Sequence, residues 1–278
     1  MDFYKKDRYR VAPQCPCGKS NKDGKFVPFL IDGTPSPRYG FCHSCGIGFY
    51  PNENNLSRGF QPVKESKKTD FKIVPYAEVK KTLGNYDNNS FVVWLKSKLP
   101  DSYESAIKRY RVGTSFNNRT IFWYLSIKEE VITGKSISYN ASIGKRIKET
   151  PIYTLYTREK GYSNCLFGEH LLKDEYHKKV VLVESEKTAI VGSLVYPKLT
   201  WMATSGASGL TFEKAQVLKY REIIYIPDCD EAGRNSIPRV SSILKSMHAK
   251  IKILDYFLNK YNDGEDIADL LLTDDNII

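Results

Sequence analysis

Residues 180–190 read VVLVESEKTAI and residues 223–234 read IIYIPDCDEAGR. Each stretch opens with a run of β-branched, apolar side chains and then turns abruptly acidic: Glu184 follows Val180–Val183, and Asp228 and Asp230 follow Ile223–Ile226. A run that is apolar at every position, rather than at alternate ones, is covered on both faces, as parallel strands are. Both runs are followed by helical patterns, so the acids are expected at the carboxyl ends of neighbouring strands, where open α/β sheets place their sites. A third acidic group, Asp266 and Asp269, stands in DGEDIADLL at residues 263–271. Carboxylates gathered at one edge repel each other unless cations hold them, and hard oxygen ligands of this kind suit Mg²⁺ or Mn²⁺. Any one of these acids alone reads equally well as a helix cap or a turn residue. Three groups in this order favour a site.

These residues also carry a resemblance. A strand ending in Glu, a strand ending in Asp-x-Asp-x-Ala-Gly-Arg, and a late Gly-x-Asp-x-x-Asp-Leu resemble the Toprim domain shared by bacterial-type primases, type IA and II topoisomerases and some nucleases. VESEKTAI and DCDEAGR are most similar to the primase branch, especially its phage and mobile-element members. The resemblance implies that Glu184, Asp228 and Asp230 are catalytic. It also implies that, with Asp266 and Asp269, they bind the divalent metal. Two positions depart from it. Ser185 stands where the family usually has Gly, and Thr188 stands where replicative primases carry a further Asp.

The chain has 278 residues, enough for two or three small domains, and a formal net charge of +10. That charge is uneven. Residues 1–179 hold 31 Lys and Arg against 18 Asp and Glu, whereas residues 180–278 hold 11 against 14. A basic part joined to an acidic, metal-binding part suits an enzyme that handles polyanions. The amino terminus, MDFYKKDRYRV, lacks the apolar centre of a signal peptide, and no run approaches the roughly 20 apolar residues of a membrane span. A cytoplasmic location is expected, with six cysteines reduced or metal-bound.

Four of those cysteines form two close pairs, Cys15 with Cys17 and Cys42 with Cys45, about 25 residues apart and each pair followed by glycine. Thiolates on two turns can close a tetrahedral structural Zn²⁺ site, with strand-like KFVPFLIDG and PRYGF between them. The first pair is one residue short of the usual C-x-x-C, and His43 is the substitute ligand. Residues 1–50 thus read as a zinc ribbon, which primases of the Toprim type commonly carry. Basic and aromatic residues around it, Arg8 to Arg10 and Arg38 to Phe41 among them, suit either nucleic-acid contact or a mini-core. Residues 51–70 are polar, contain Pro51 and Pro62, and read as a linker.

Residues 71–178 read as a basic α+β subdomain: helices in FVVWLKSKL and SYESAIKRYRV, then strands in NNRTIFWYLSI and VITGKSISYN around a turn near residues 128–130. The primase resemblance implies phosphate, NTP or template contacts at Arg119, Lys135, Lys145 and Arg146, with Lys187 and Arg234 beside the acids. Trp123, Tyr124 and Tyr139 read as core ahead of base-stacking residues. Residues 179–278 form the Toprim-type parallel sheet with flanking helices. Within them, SGASG at residues 205–209 reads as an ordinary loop ahead of a turn that offers backbone N–H groups to a phosphate, FEKAQVLK reads as a helix, and Pro238 implies a kink or break in the helix after Asp230.

The resulting expectation is a DNA primase-like nucleotidyltransferase that makes short RNA primers on single-stranded DNA from NTPs. It would carry structural Zn²⁺ and catalytic Mg²⁺ or Mn²⁺, and any helicase partner would be a separate chain because no P-loop is present. A metal-dependent nuclease using the same acids, or a non-catalytic nucleic-acid-binding accessory protein, are the alternatives.

Overall fold

A computed structural model describes residues 2–16, 18–44, 47–49, 71–255, 258 and 267–273. The ribbon reading falls partly outside them, because Cys17 and Cys45 are not among the described residues, nor are the linker 51–70 and Asp266. The described amino-terminal residues include a single helical turn, α1 (Arg8–Val11). An antiparallel meander follows, β1 (Phe26–Ile31), β2 (Thr34–Cys42) and β3 (Ile47–Phe49). Asp32-Gly33 turns the first hairpin with both residues at positive φ, the geometry that a two-residue Asp-Gly loop favours. Cys15 and Cys42 are both buried.

The middle subdomain places three helices, α2 (Tyr76–Lys80), α3 (Ser90–Lys98) and α4 (Tyr103–Arg109), beside a second antiparallel sheet. That sheet runs in the order β4 (Gly113–Thr114), β5 (Thr120–Leu125), β6 (Val131–Ile137), β7 (Tyr153–Thr154). Every residue of β5 is buried. Its alternation sends Phe122 and Tyr124 into one core and Ile121, Trp123 and Leu125 into another. Trp123, Tyr124 and Tyr139 are therefore core residues, as their strand positions implied.

The last part is a four-stranded parallel sheet of β8 (Val180–Val183), β9 (Thr200–Ala203), β10 (Glu222–Tyr225) and β11 (Lys250–Ile253), in the spatial order β11-β10-β8-β9. The uninterrupted apolar runs have the reason anticipated for them. Val181, Val183, Ile224 and Ile226 face one core beneath α5 (Glu186–Val195) and the final helix α8 (Ile267–Thr273). Val180, Leu182, Ile223 and Tyr225 face the other, beneath α7 (Glu231–Ser246). Two expectations are corrected. FEKAQVLK yields only the single turn α6 (Phe212–Ala215) and a 3₁₀ turn. Of the kink or break expected at Pro238, the break does not occur: helix α7 runs on through it, on a length amphipathic enough to be held by packing against the sheet. No helix among the described residues is long and apolar enough to cross a membrane.

Candidate active site

Two strand–turn–helix units, β8–α5 and β10–α7, put their acids side by side because their strands are hydrogen-bonded neighbours in register, Val181 beside Ile224. Glu184 is almost fully buried at the end of β8. Its Oε1 accepts a hydrogen bond from the Tyr225 hydroxyl at 3.1 Å, with the Ser236 hydroxyl and the Asp228 N–H each at 3.5 Å. Burial raises the Glu184 carboxyl above its usual range. The Tyr225, Asp228 and Ser236 hydrogen bonds oppose that rise and the neighbouring Asp230 charge adds to it.

In the second unit, Asp230 is the N-cap of α7 and accepts the Gly233 N–H at 2.7 Å. Gly233 has no alternative, since a side chain there would run into the Asp228 carbonyl. Asp228 itself is half-buried and faces a cleft of about 290 Å³ that Glu184 also lines. Lys135, Arg146, Glu186, Lys187, Ser205 and Gly206 line the same cleft.

The first unit solves the capping problem differently. Ser185 caps α5 by accepting the Thr188 N–H at 3.1 Å, and the two hydroxyls lie 2.9 Å apart. Ser185 and Thr188, the two departures from the Toprim pattern, are thus one device: a hydroxyl pair that starts the helix.

The cations sort into two kinds. The Lys135 ammonium is 2.9 Å from Glu186 and donates at 2.9 Å to the Ser205 hydroxyl. Arg146 and Lys145 are exposed at the turn that follows β6, and Arg234 is half-buried in the first turn of α7. Arg119 and Lys187 are buried and engaged by protein groups, and Lys187 also lines the cleft. Arg119 donates to the Ser136 hydroxyl and carbonyl and to the Pro151 carbonyl, and its guanidinium lies 4.9 Å from the Tyr153 ring centre. Lys187 donates to the Gly144 carbonyl at 2.9 Å, sits 4.4 Å over Trp94 and approaches Asp269 to 3.6 Å. Asp269 is not among the residues that line the cleft. The glycine turn fits the ordinary-loop reading: Gly206 N–H donates to the Glu184 carbonyl and Gly209 N–H to the Gly206 carbonyl, so neither is offered to a phosphate.

Two residues of the site escaped the sequence reading. Glu186, 2 % exposed, accepts from Lys135 and from the Tyr124 hydroxyl. Burial alone would raise its carboxyl, but the Lys135 charge and both hydrogen bonds hold it below the usual range. In sequence, an acid at the first helical position reads merely as a complement to the helix dipole. Arg239, inward-facing on α7, donates to the carbonyls of Ala207 and Leu210 and so ties down the 205–210 turn. Nothing in its immediate sequence announces that contact.

The donor set of Glu184, Asp228 and Asp230 is chemically suited to a hard divalent cation. Among the described residues no group of three or more His, Cys, Asp or Glu side chains is drawn together tightly enough to count as a metal site.

Comparison with known proteins bears on what this arrangement is. The family described as "Domain of unknown function (DUF6371)" matches residues 89–229, half of the chain. The chain belongs to the DUF6371 family. The DUF6371 match begins at Asn89, the N-cap of α3, and ends at Cys229 between the two acids of the second turn, so it spans the middle subdomain and Glu184 together. No curated protein matches the sequence. Among solved structures, the RNA polymerase domain of Mycobacterium tuberculosis primase DnaG is similar at 16% identity and a TM-score of 0.50, over 71% of this chain and 77% of that one. The primase fragment of the bacteriophage T7 primase-helicase protein covers 99% of this chain and 97% of its own at 18% identity and a TM-score of 0.47. The E. coli primase catalytic core shares 13% identity over 70% of this chain and 73% of its own, at a TM-score of 0.47. At such identities the likeness speaks for the fold: a mixed α/β fold with a parallel sheet, similar to a primase core.

Proposed function

We propose that this DUF6371 protein is a primase-type nucleotidyltransferase that joins ribonucleotides on a single-stranded DNA template. The observation that supports this most is the cleft at the carboxyl edge of the parallel sheet, which Glu184 and Asp228 line together with Lys135 and Arg146. Acids and cations in one cleft fit a substrate that brings both a polyphosphate and its metal.

In this reading a primer 3′-hydroxyl attacks the α-phosphate of the incoming NTP and pyrophosphate leaves. Glu184 and Asp228, with Asp230 and Asp266, would hold Mg²⁺ or Mn²⁺, which when bound lowers the hydroxyl pKa and offsets charge on the phosphates. Lys135, held by Glu186 and Ser205, keeps a cation fixed beside the reacting phosphates. Arg146 and Lys145 extend from the exposed turn to neutralise the departing pyrophosphate or the template backbone, and Arg234 adds charge beside the second turn. Arg119 and Lys187 act indirectly: one holds the 151–153 segment against β6, the other holds the 144–146 turn against α5. Residues 1–50 would be a Zn²⁺ ribbon on Cys15, Cys17, Cys42 and Cys45 that meets the template. Residues 51–70 would link it to the basic subdomain (71–178) and the Toprim domain (179–278).

The test is de novo synthesis with purified protein, circular single-stranded DNA, labelled NTPs and Mg²⁺ or Mn²⁺. Short labelled oligonucleotides are expected, reduced at least about 100-fold by Asp228→Asn without a change in melting temperature. Metal-dependent degradation of the DNA in place of synthesis would reassign the site to a nuclease, and DNA binding with neither reaction would make it an accessory protein.

A further inference from the structure

The parallel sheet has a second open end. At the amino ends of β8, β10 and β11, opposite the edge that carries Glu184 and Asp228, lies a groove of about 760 Å³. Its floor and one wall are aliphatic: Ile224 of β10, with Val195 and Leu199 from the end of α5 and the segment after it. Lysines ring it. Ile251 and Ile253 of β11 pack toward the core beneath α7, so strand alternation turns Lys250 and Lys252 to the other face, beside their register partners Glu222 and Ile224. Lys179 and Lys198 complete the rim.

Four lysines and one carboxylate line the groove, and that carboxylate, Glu222, already lies 3.3 Å from both Lys179 and Lys250. Three of the four lysines, Lys198, Lys250 and Lys252, stand on the part of the chain whose balance is acidic, 11 Lys and Arg against 14 Asp and Glu over residues 180–278. A nucleic-acid strand is a poor match, because the floor is aliphatic and the one aromatic ring in the lining, Tyr196, is stacked on Trp201. An acidic chain with aliphatic side chains matches both parts.

We propose that this groove docks an acidic, aliphatic peptide segment of a partner protein. Ile, Leu or Val side chains of the segment seat over Ile224, Val195 and Leu199, and its Asp or Glu residues meet Lys198, Lys250 and Lys252. The lysine stems extend the apolar wall while their charged ends stay at the rim. An occupant here leaves the carboxylate edge open, so the site serves recruitment and stands independently of the chemistry at the other edge.

The experiment uses the full chain and a fluorescein-labelled hexapeptide alternating Asp with Ile and Leu, followed by fluorescence anisotropy. Saturable binding is expected, at least tenfold weaker for Lys198→Glu/Lys252→Glu and for a peptide of equal charge with Ser in place of Ile and Leu. Both lysines are exposed, so the double variant should melt at the wild-type temperature. Equal binding of the Ser peptide would reduce the groove to a basic surface and overturn the proposal. So would an absence of saturation at millimolar peptide, or displacement of the peptide by oligothymidylate. Light scattering that shows a wild-type dimer dissociated by the double variant would also overturn it, since a second copy would then fill the groove.

Discussion

The β8–α5 and β10–α7 turns are built on the same plan, yet they use their acids in opposite ways. In the first, a serine caps the helix, which releases Glu184 to point into the cleft. The next acid, Glu186, lines the same cleft but is buried and neutralised by Lys135. In the second, Asp230 is itself the cap and only Asp228 is left half-buried at the cleft. A helix that follows a strand must satisfy its first N–H groups. Which residue takes that task decides which carboxylate remains for chemistry.

The comparison breaks most visibly at Lys135. Replacing it by Met leaves Glu186 buried and unpaired, which should cost about 3–5 kcal/mol in urea denaturation. A second change, Glu186→Gln, should recover a large part of that. Equal loss in single and double variants would mean that the ion pair is not what holds the first turn.

Acid titration separates Glu184 from Glu186 by sign. The Glu184 carboxyl is raised, so its charge opposes folding: its contribution is present below the unfolded carboxylate range and is lost as pH rises through the folded value. Glu186 is depressed, so its contribution is present above the unfolded value near 4.5 and is lost as pH falls through the folded one. At pH 7, Glu184→Gln is therefore expected to raise the denaturation midpoint while abolishing primer synthesis, and Glu186→Gln to lower the midpoint. A lowered midpoint in Glu184→Gln would show that the carboxylate is stabilised in place.

Asp230→Ala removes a cap and should cost about 1 kcal/mol. Asp230→Ser restores the cap without the charge. Wild-type stability with lost synthesis would make Asp230 a ligand as well as a cap, whereas full synthesis by the Ser variant would leave it a cap alone. The smallest effect is expected for Ser185→Gly, which recreates the Glu-Gly of the resemblance at a cost of a few tenths of a kcal/mol. A loss well above 1 kcal/mol would show that the Ser185–Thr188 pair does more than start α5.

Much of this arrangement was legible beforehand. The strands 180–183 and 222–225, their parallel pairing and the helix 186–195 follow from uninterrupted apolar runs broken by acid, a pattern that few other structures tolerate. The burial of Trp123 and Tyr124 followed from their place in a central strand. The roles of the cations were less readable. Arg119, Lys135 and Lys187 each look like a basic residue near an acidic site, yet Arg119 and Lys187 are engaged inside the protein and Lys135 stands between the interior and the cleft. A local pattern reports the type of side chain at a position and carries no record of which distant carbonyl or carboxylate it will meet. Glu186 was passed over for the same reason, because its partners Lys135 and Tyr124 lie 51 and 62 positions away.

The sequence by itself determined where the backbone changes state and which residue types stand at each change, since strand burial, capping and close turns are imposed within a few residues by sterics and hydrogen bonding. Only the tertiary structure decided which of four nearby acids line the cleft and which are paired or spent as caps, which basic side chains brace the interior, and that the far end of the sheet carries a lysine-rimmed groove. Those outcomes depend on contacts between β6, the turn after it, α5 and α7 that exist only once burial has brought distant segments together, and at short range in a dry interior the partner fixes what each charge can do.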